Sequence, residues 1–174
     1  NDCNNNLKTL GKLSIRDLEQ YKGIGSANAI TILAACELGK RRQKATVEEA
    51  PILNSAENIY QFMHTTIQDL DIEEGWVLMM KQNFRLIEAK RISVGGLTMA
   101  PVDLRLMMKE VLLKNTTVLA FCHNHPSGST NPSRDDDILT SHIHKACELL
   151  HIHFADHVIL TDGGYFSYRE EGKL

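Results

Sequence analysis

The chain has 174 residues, 43% of them hydrophobic and 24% charged, with a formal net charge of −3. That balance excludes wholesale disorder, and no apolar run approaches the roughly 18 residues of a transmembrane helix, so no membrane partner is expected. Four cysteines with neither a CxxC nor a framework spacing point to a reduced, cytoplasmic protein.

The opening stretch, NDCNNNLKTL, lacks the basic and apolar regions of a signal peptide, although the sequence starts at Asn1 rather than Met. Residues 1–45 carry eight Lys/Arg against four acids, whereas the remainder carries 11 against 18. A basic front joined to an acidic back suggests two modules with different partners. The front reads as two short helices around a tight turn. Ser14 is placed to cap a helix over 15–21, and Lys22-Gly23-Ile24-Gly25 breaks the pattern. Ser26 then caps a second helix with Ile30, Leu33, Ala34 and Leu38 at helical spacing and a stop at Gly39.

Residues 45–55 lose periodicity and hold a proline, which reads as a linker between a module over 1–44 and a domain over 56–174. A helix is expected over 56–70, with Ile59, Phe62, Met63, Ile67 and Leu70 as its apolar stripe. The pattern next turns to strands at 76–80 and 85–94, followed by a bend at Gly95-Gly96 and a helix over 102–114. TVLAFC at 117–122 is short, apolar and β-rich, the signature of a buried strand. After the loop HNHPSGSTNPS come a helix over 134–150, a buried strand at 157–161 and a last strand at 165–168. The order of elements implies an α/β fold with a mixed sheet and flanking helices.

The informative segment is His123-Asn124-His125, where a buried strand ends. Residues i and i+2 of an extended backbone point to the same side, so both imidazoles converge. Asp136 stands eleven residues beyond His125, in the first turn of a helix that Ser133 would cap. Two His and one Asp leave a fourth position open, which is the arrangement of a catalytic zinc rather than a structural one. A base outside the ligand set is then needed, and Glu73 or Glu74 supplies it if their strand lies beside the His-bearing one; Glu88 is a weaker candidate.

His-x-His-x10-Asp with an upstream Glu resembles the JAMM/MPN metalloprotease motif, and EEGWVL, RISVGGLTMAPVDLRL, HNHPSG, NPSRDDDI and ADHVILTDGGYFSYREEG resemble the bacterial RadC family more closely. CNNNL and LSIRDLEQYKGIGSANAITILAACELGKRR are similar to that family's helix-hairpin-helix segment. The resemblance implies an MPN domain of cytidine-deaminase-like fold behind a small all-α module. It implies one zinc ion per chain held by His123, His125 and Asp136, with Glu74 as general base and Ser133 helping to stabilise an oxyanion. The implied reaction is zinc-assisted hydrolysis of a peptide or isopeptide bond. Gly75 stands where related sequences place a larger residue, which leaves the register between Glu73 and Glu74 open.

Rival readings follow from other features. Lys22, Gly23, Ile24 and Gly25 offer close backbone approach and helix amides to a duplex DNA phosphate, independent of base sequence. The chain would then be a DNA-binding accessory protein in repair or recombination with a non-catalytic metal site. A zinc nucleobase deaminase is excluded because its P-C-x-x-C is missing, and a two-metal nuclease finds only one compact ligand set. His151 and His153 form a second HxH without a third ligand, and His142 and His144 read as solvated. His157 is expected to orient the ligands rather than coordinate, and Cys122 to face the core.

Overall fold

A computed structural model describes residues 7–44, 50–95 and 102–174. The chain divides between residues 49 and 50 into two compact units. Cys3, residues 45–49 of the expected linker and Gly96 of the expected bend fall outside the described residues.

The first unit contains α1 (Leu7–Leu10), α2 (Ile15–Glu19) and α3 (Ser26–Lys44). Ser14 caps α2 through a reciprocal capping box with Asp17, as its position before an apolar run requires. The turn that follows carries Gly23 at φ 89°, in the region glycine tolerates and other residues resist. Ser26 is the first residue of α3 rather than its cap, and its hydroxyl donates to Glu19. Two further expectations fail in α3. The helix runs through Gly39 to Lys44, because one glycine costs only about 1 kcal/mol and the Glu37–Arg41 pair at 3.1 Å spans that position. The covered face centres on Ala29 with half-buried Leu33 and Cys36, whereas Ile30 and Leu38 of the expected stripe are exposed.

The second unit begins before α4, so Ala50–Ser55 is not linker. Leu53 is buried, Ile52 bridges to Arg85, and Leu86 N–H donates to the Pro51 carbonyl at 2.9 Å. α4 (Ala56–Ile67), capped by Ser55, is followed by β1 (Glu74–Met80), β2 (Leu86–Val94), α5 (Leu104–Leu113), β3 (Val118–Asn124), α6 (Arg134–Leu149), β4 (His153–Thr161) and β5 (Gly164–Ser167). The sheet order is β2-β1-β3-β4-β5, with β3 and β4 parallel and every other pair antiparallel.

Strand alternation divides the core into two layers. Leu78 and Met80 of β1 and Val118, Ala120 and Cys122 of β3 pack under α4. Val77, Met79, Leu119 and Phe121 face α5 and α6. Both faces of β1 and β3 are covered, which is why their sequences read as continuous apolar runs. β4 starts four residues earlier than expected. Its polar Asp156 and His157 interrupt the apolar run but are buried with partners of their own: Ser167 Oγ donates to Asp156 at 2.5 Å.

Gly75 is the tight point of the sheet. A Cβ there would overlap Ser93 Oγ and stand 2.9 Å from Phe121 Cζ. Gly75→Ala is therefore expected to lower stability by about 1–3 kcal/mol, the usual cost of overpacking, measurable by urea denaturation.

Candidate metal centre

β3 ends at the sheet's centre and delivers His123 and His125 to the N-terminus of α6, where Asp136 sits. His123 Nε2 lies 3.0 Å from His125 Nε2 and 3.1 Å from Asp136 Oδ1, and His125 Nε2 lies 3.7 Å from Asp136 Oδ2. Among the described residues this is the one group of His, Cys, Asp and Glu that gathers three candidate ligands.

The outer hydrogen bonds fix which ring nitrogens carry protons. Thr140 donates its hydroxyl to the Asp136 carbonyl at 2.6 Å, so its oxygen accepts from His157 Nδ1 at 2.5 Å. His157 Nε2 must then accept from His123 Nδ1 at 2.9 Å, which leaves a lone pair on His123 Nε2. His125 Nδ1 donates to the Ser129 carbonyl at 2.7 Å, which leaves the same lone pair on His125 Nε2. Two imidazole lone pairs and a carboxylate thus converge, and atoms that close require positive charge among them. Metal–ligand bonds of about 2.0–2.1 Å in a tetrahedron put ligand atoms about 3.3 Å apart, and the observed separations bracket that value. The donor set fits a divalent zinc-like ion.

Each ligand is held from behind. His125 N–H donates to the Leu160 carbonyl at 2.9 Å. His157 is fully buried, stacks on Tyr168 at 4.8 Å, and burial pushes its pKa well below the usual histidine value, so it stays neutral. Burial alone would raise the Asp136 pKa, but positive charge on its His123 side (a proton on Nε2, or a metal ion in its place) and the hydrogen bonds from Ser133 outweigh it and hold the carboxyl well below its ordinary range. Replacing His157 by Gln is expected to weaken zinc binding about 10–100-fold, read by competition with a chelating dye.

Ser133 does not stand free to stabilise an oxyanion. Its hydroxyl has one proton, donated to Asp136 Oδ2 at 2.7 Å, while its backbone N–H reaches the same oxygen at 2.7 Å. The capping box therefore clamps Oδ2 and leaves Oδ1 facing the histidines.

The expected base is also displaced. Gly75 pairs directly with His123, so their side-chain positions share a sheet face and Glu74 lies on the other. There the buried Glu74 carboxylate accepts from Arg91 Nη1 at 2.6 Å and Trp76 Nε1 at 3.2 Å. Half-buried Glu73, two positions before Gly75, instead lines the cleft of about 370 Å³ in front of His123 and His125. Glu88 is engaged at 2.5 Å with Lys114. Asn124, which the sequence reading passed over, ties the segment to β3: its Oδ1 accepts from Glu74 N–H at 2.8 Å and its Nδ2 donates to the Ile72 carbonyl at 2.9 Å.

The remaining candidates lie elsewhere. His151 sits at φ 54° in the turn before β4, His153 is exposed at its start, and His142 is exposed on α6. Cys122 is buried on the α4 side, and burial raises its thiol pKa. Lys22, Gly23, Ile24 and Gly25 form the turn between α2 and α3 in the other unit, with Lys22 and both glycines exposed.

Comparison with known proteins agrees with this geometry. Residues 53–173 match the family model of the RadC-like JAB domain. A UPF0758 protein of Flavobacterium johnsoniae is 38% identical over 167 residues, covering 96% of this chain and 73% of that protein. One from Porphyromonas gingivalis is 34% identical over 172 residues, covering 98% and 76%, and one from Trichlorobacter lovleyi is 34% identical over 169, covering 97% and 74%. The match takes in both histidines, Asp136 and the strand behind Glu73, and the chain belongs to the RadC-like JAB domain family.

Proposed function

We propose that the chain is a zinc-dependent hydrolase of amide bonds, a metallopeptidase or isopeptidase with one zinc per chain. The observation that carries this reading is the convergence of two imidazole lone pairs and Asp136 Oδ1 beside a cleft that Glu73 lines. A structural zinc has four protein ligands, whereas three beside a cleft leave a position for chemistry. Zinc held there supplies Lewis acidity, polarising a carbonyl and making water acidic near neutral pH. The Glu73 carboxylate takes the proton of the attacking water and returns it to the leaving amine nitrogen. Ser133 and His157 keep Asp136 and His123 in place.

Charge favours an amide over a phosphodiester substrate. Glu73, Asp135 and Asp136 line this cleft, and Asp69, Asp71 and Asp162 line a neighbouring cavity of about 520 Å³ that also reaches His125. Among the described residues neither lining contains Lys or Arg, so a polyanion meets repulsion on both sides. Digestion of a mixed peptide library by the zinc-loaded protein, read by mass spectrometry, tests the reading. Cleavage abolished by EDTA and restored by zinc supports it; intact peptides beside a cleaved oligonucleotide control contradict it.

A second reading concerns the front unit. The Lys22–Gly23–Ile24–Gly25 turn between two helices, with Lys22 and both glycines exposed in a net basic segment, supports a helix-hairpin-helix role in duplex DNA contact. Replacing both glycines by Val is expected to weaken duplex binding and flatten its dependence on salt; unchanged affinity and slope contradict this reading. No helix among the described residues is long and apolar enough to cross a membrane, and a cytoplasmic setting suits a chain whose buried Cys122 and Cys147 are free thiols.

A further inference from the structure

One row of paired residues crosses the sheet at the metal-binding end: Ser93 on β2, Gly75 on β1 and His123 on β3. Directly paired residues present their side chains to the same face, here the one that carries α5 and α6. Gly75 contributes no side chain, and Ser93 Oγ leans into the space that a Cβ would take. Neighbouring strands lie about 4.8 Å apart, and β1 separates β2 from β3, so this hydroxyl, leaning toward the Gly75 column, stands between one and two strand spacings from the His123 column.

Ser93 is only 6% exposed, and its hydroxyl has no hydrogen-bond partner among the described residues. Native proteins leave few buried hydroxyls unpaired, and those that remain call for an explanation. Ser93 also lines the same cleft as Glu73, His123 and His125. A buried, unpaired donor and acceptor beside the ligands finds its partner in whatever fills that cleft.

We propose that Ser93 is a substrate-binding residue whose hydroxyl hydrogen-bonds the peptide unit next to the scissile carbonyl. Successive peptide units are about 3.8 Å apart, so a carbonyl placed at the metal centre brings the adjoining unit over Gly75, within reach of Oγ. Gly75 is then required because any side chain would displace the hydroxyl. The proposal rests on the hydrolase reading and adds to it an extended peptide backbone as the substrate element recognised.

Two zinc-binding probes separate the two ideas. Acetohydroxamate anchors on the metal without a neighbouring peptide unit, whereas N-acetylglycine hydroxamate adds one. By titration calorimetry on the zinc-loaded protein, the second is expected to bind about tenfold more tightly than the first. Ser93→Ala removes that margin and leaves the affinity for acetohydroxamate unchanged. Because the hydroxyl has no partner to lose, this variant keeps its zinc and melts no lower than wild type, which a structural hydroxyl would not allow. A margin that survives in Ser93→Ala, or is missing from the wild type, overturns the proposal. If neither probe binds the zinc-loaded wild type, the hydrolase reading falls and the inference falls with it.

Discussion

Glu73→Gln is expected to retain its zinc and to lose peptide-library cleavage by about 10²–10⁴-fold, the usual worth of a positioned general base. The neighbouring substitution, Glu74→Gln, has the opposite profile. Its carboxylate faces the α4 side and is engaged by Arg91 and Trp76, so neutralising it leaves cleavage intact. Glu74→Gln instead lowers stability by about 1–3 kcal/mol through the weakened Arg91 contact. Cleavage lost in Glu74→Gln and kept in Glu73→Gln would reverse the assignment. Measuring both variants in the same digest, with urea denaturation alongside, reads the two effects separately.

The second large effect is on thermal stability. A metal that binds the native state and not the unfolded chain adds about 2.7 kcal/mol when it is present at one hundred times its dissociation constant. For a chain of this size that is a rise in Tm of about 5–10 °C. Wild type is expected to show this rise with added zinc and to lose it with EDTA. His123→Ala combined with His125→Ala is expected to show neither response, because Asp136 alone remains of the three ligands. An equal zinc response in the double variant would place the stabilising metal elsewhere.

Much of this site was legible in the sequence, because a strand end followed by a capped helix is a local pattern. His123 and His125 share a side through the two-residue period of a strand, and Ser133 three residues before Asp136 announces the capping box. What the sequence left open depended on pairing. Glu73 and Glu74 are adjacent, and only the register that sets Gly75 opposite His123 decides which of them faces the cleft. The family resemblance implied an oxyanion role for Ser133 beside its capping of the helix, yet its hydroxyl proton is committed to Asp136.

The fold followed the same division. Buried strands with uniform apolar runs, such as β1 and β3, announce themselves, whereas β4 reads short because Asp156, a poor strand residue by its polarity, is satisfied by distant Ser167. The early end assigned to α3 came from treating Gly39 as a terminator, although a glycine within a long helix is tolerated. Residues 50–55 looked like linker because their role, covering the turn between β1 and β2, is set by long-range hydrogen bonds that no local pattern encodes.

The most direct measurement is elemental analysis of metal per chain, on wild type and on the His123→Ala, His125→Ala double variant, both purified after exposure to zinc and then dialysed. The expected result is about one zinc per wild-type chain and none in the variant. A folded wild type that retains no zinc, or a variant that retains as much, would contradict it.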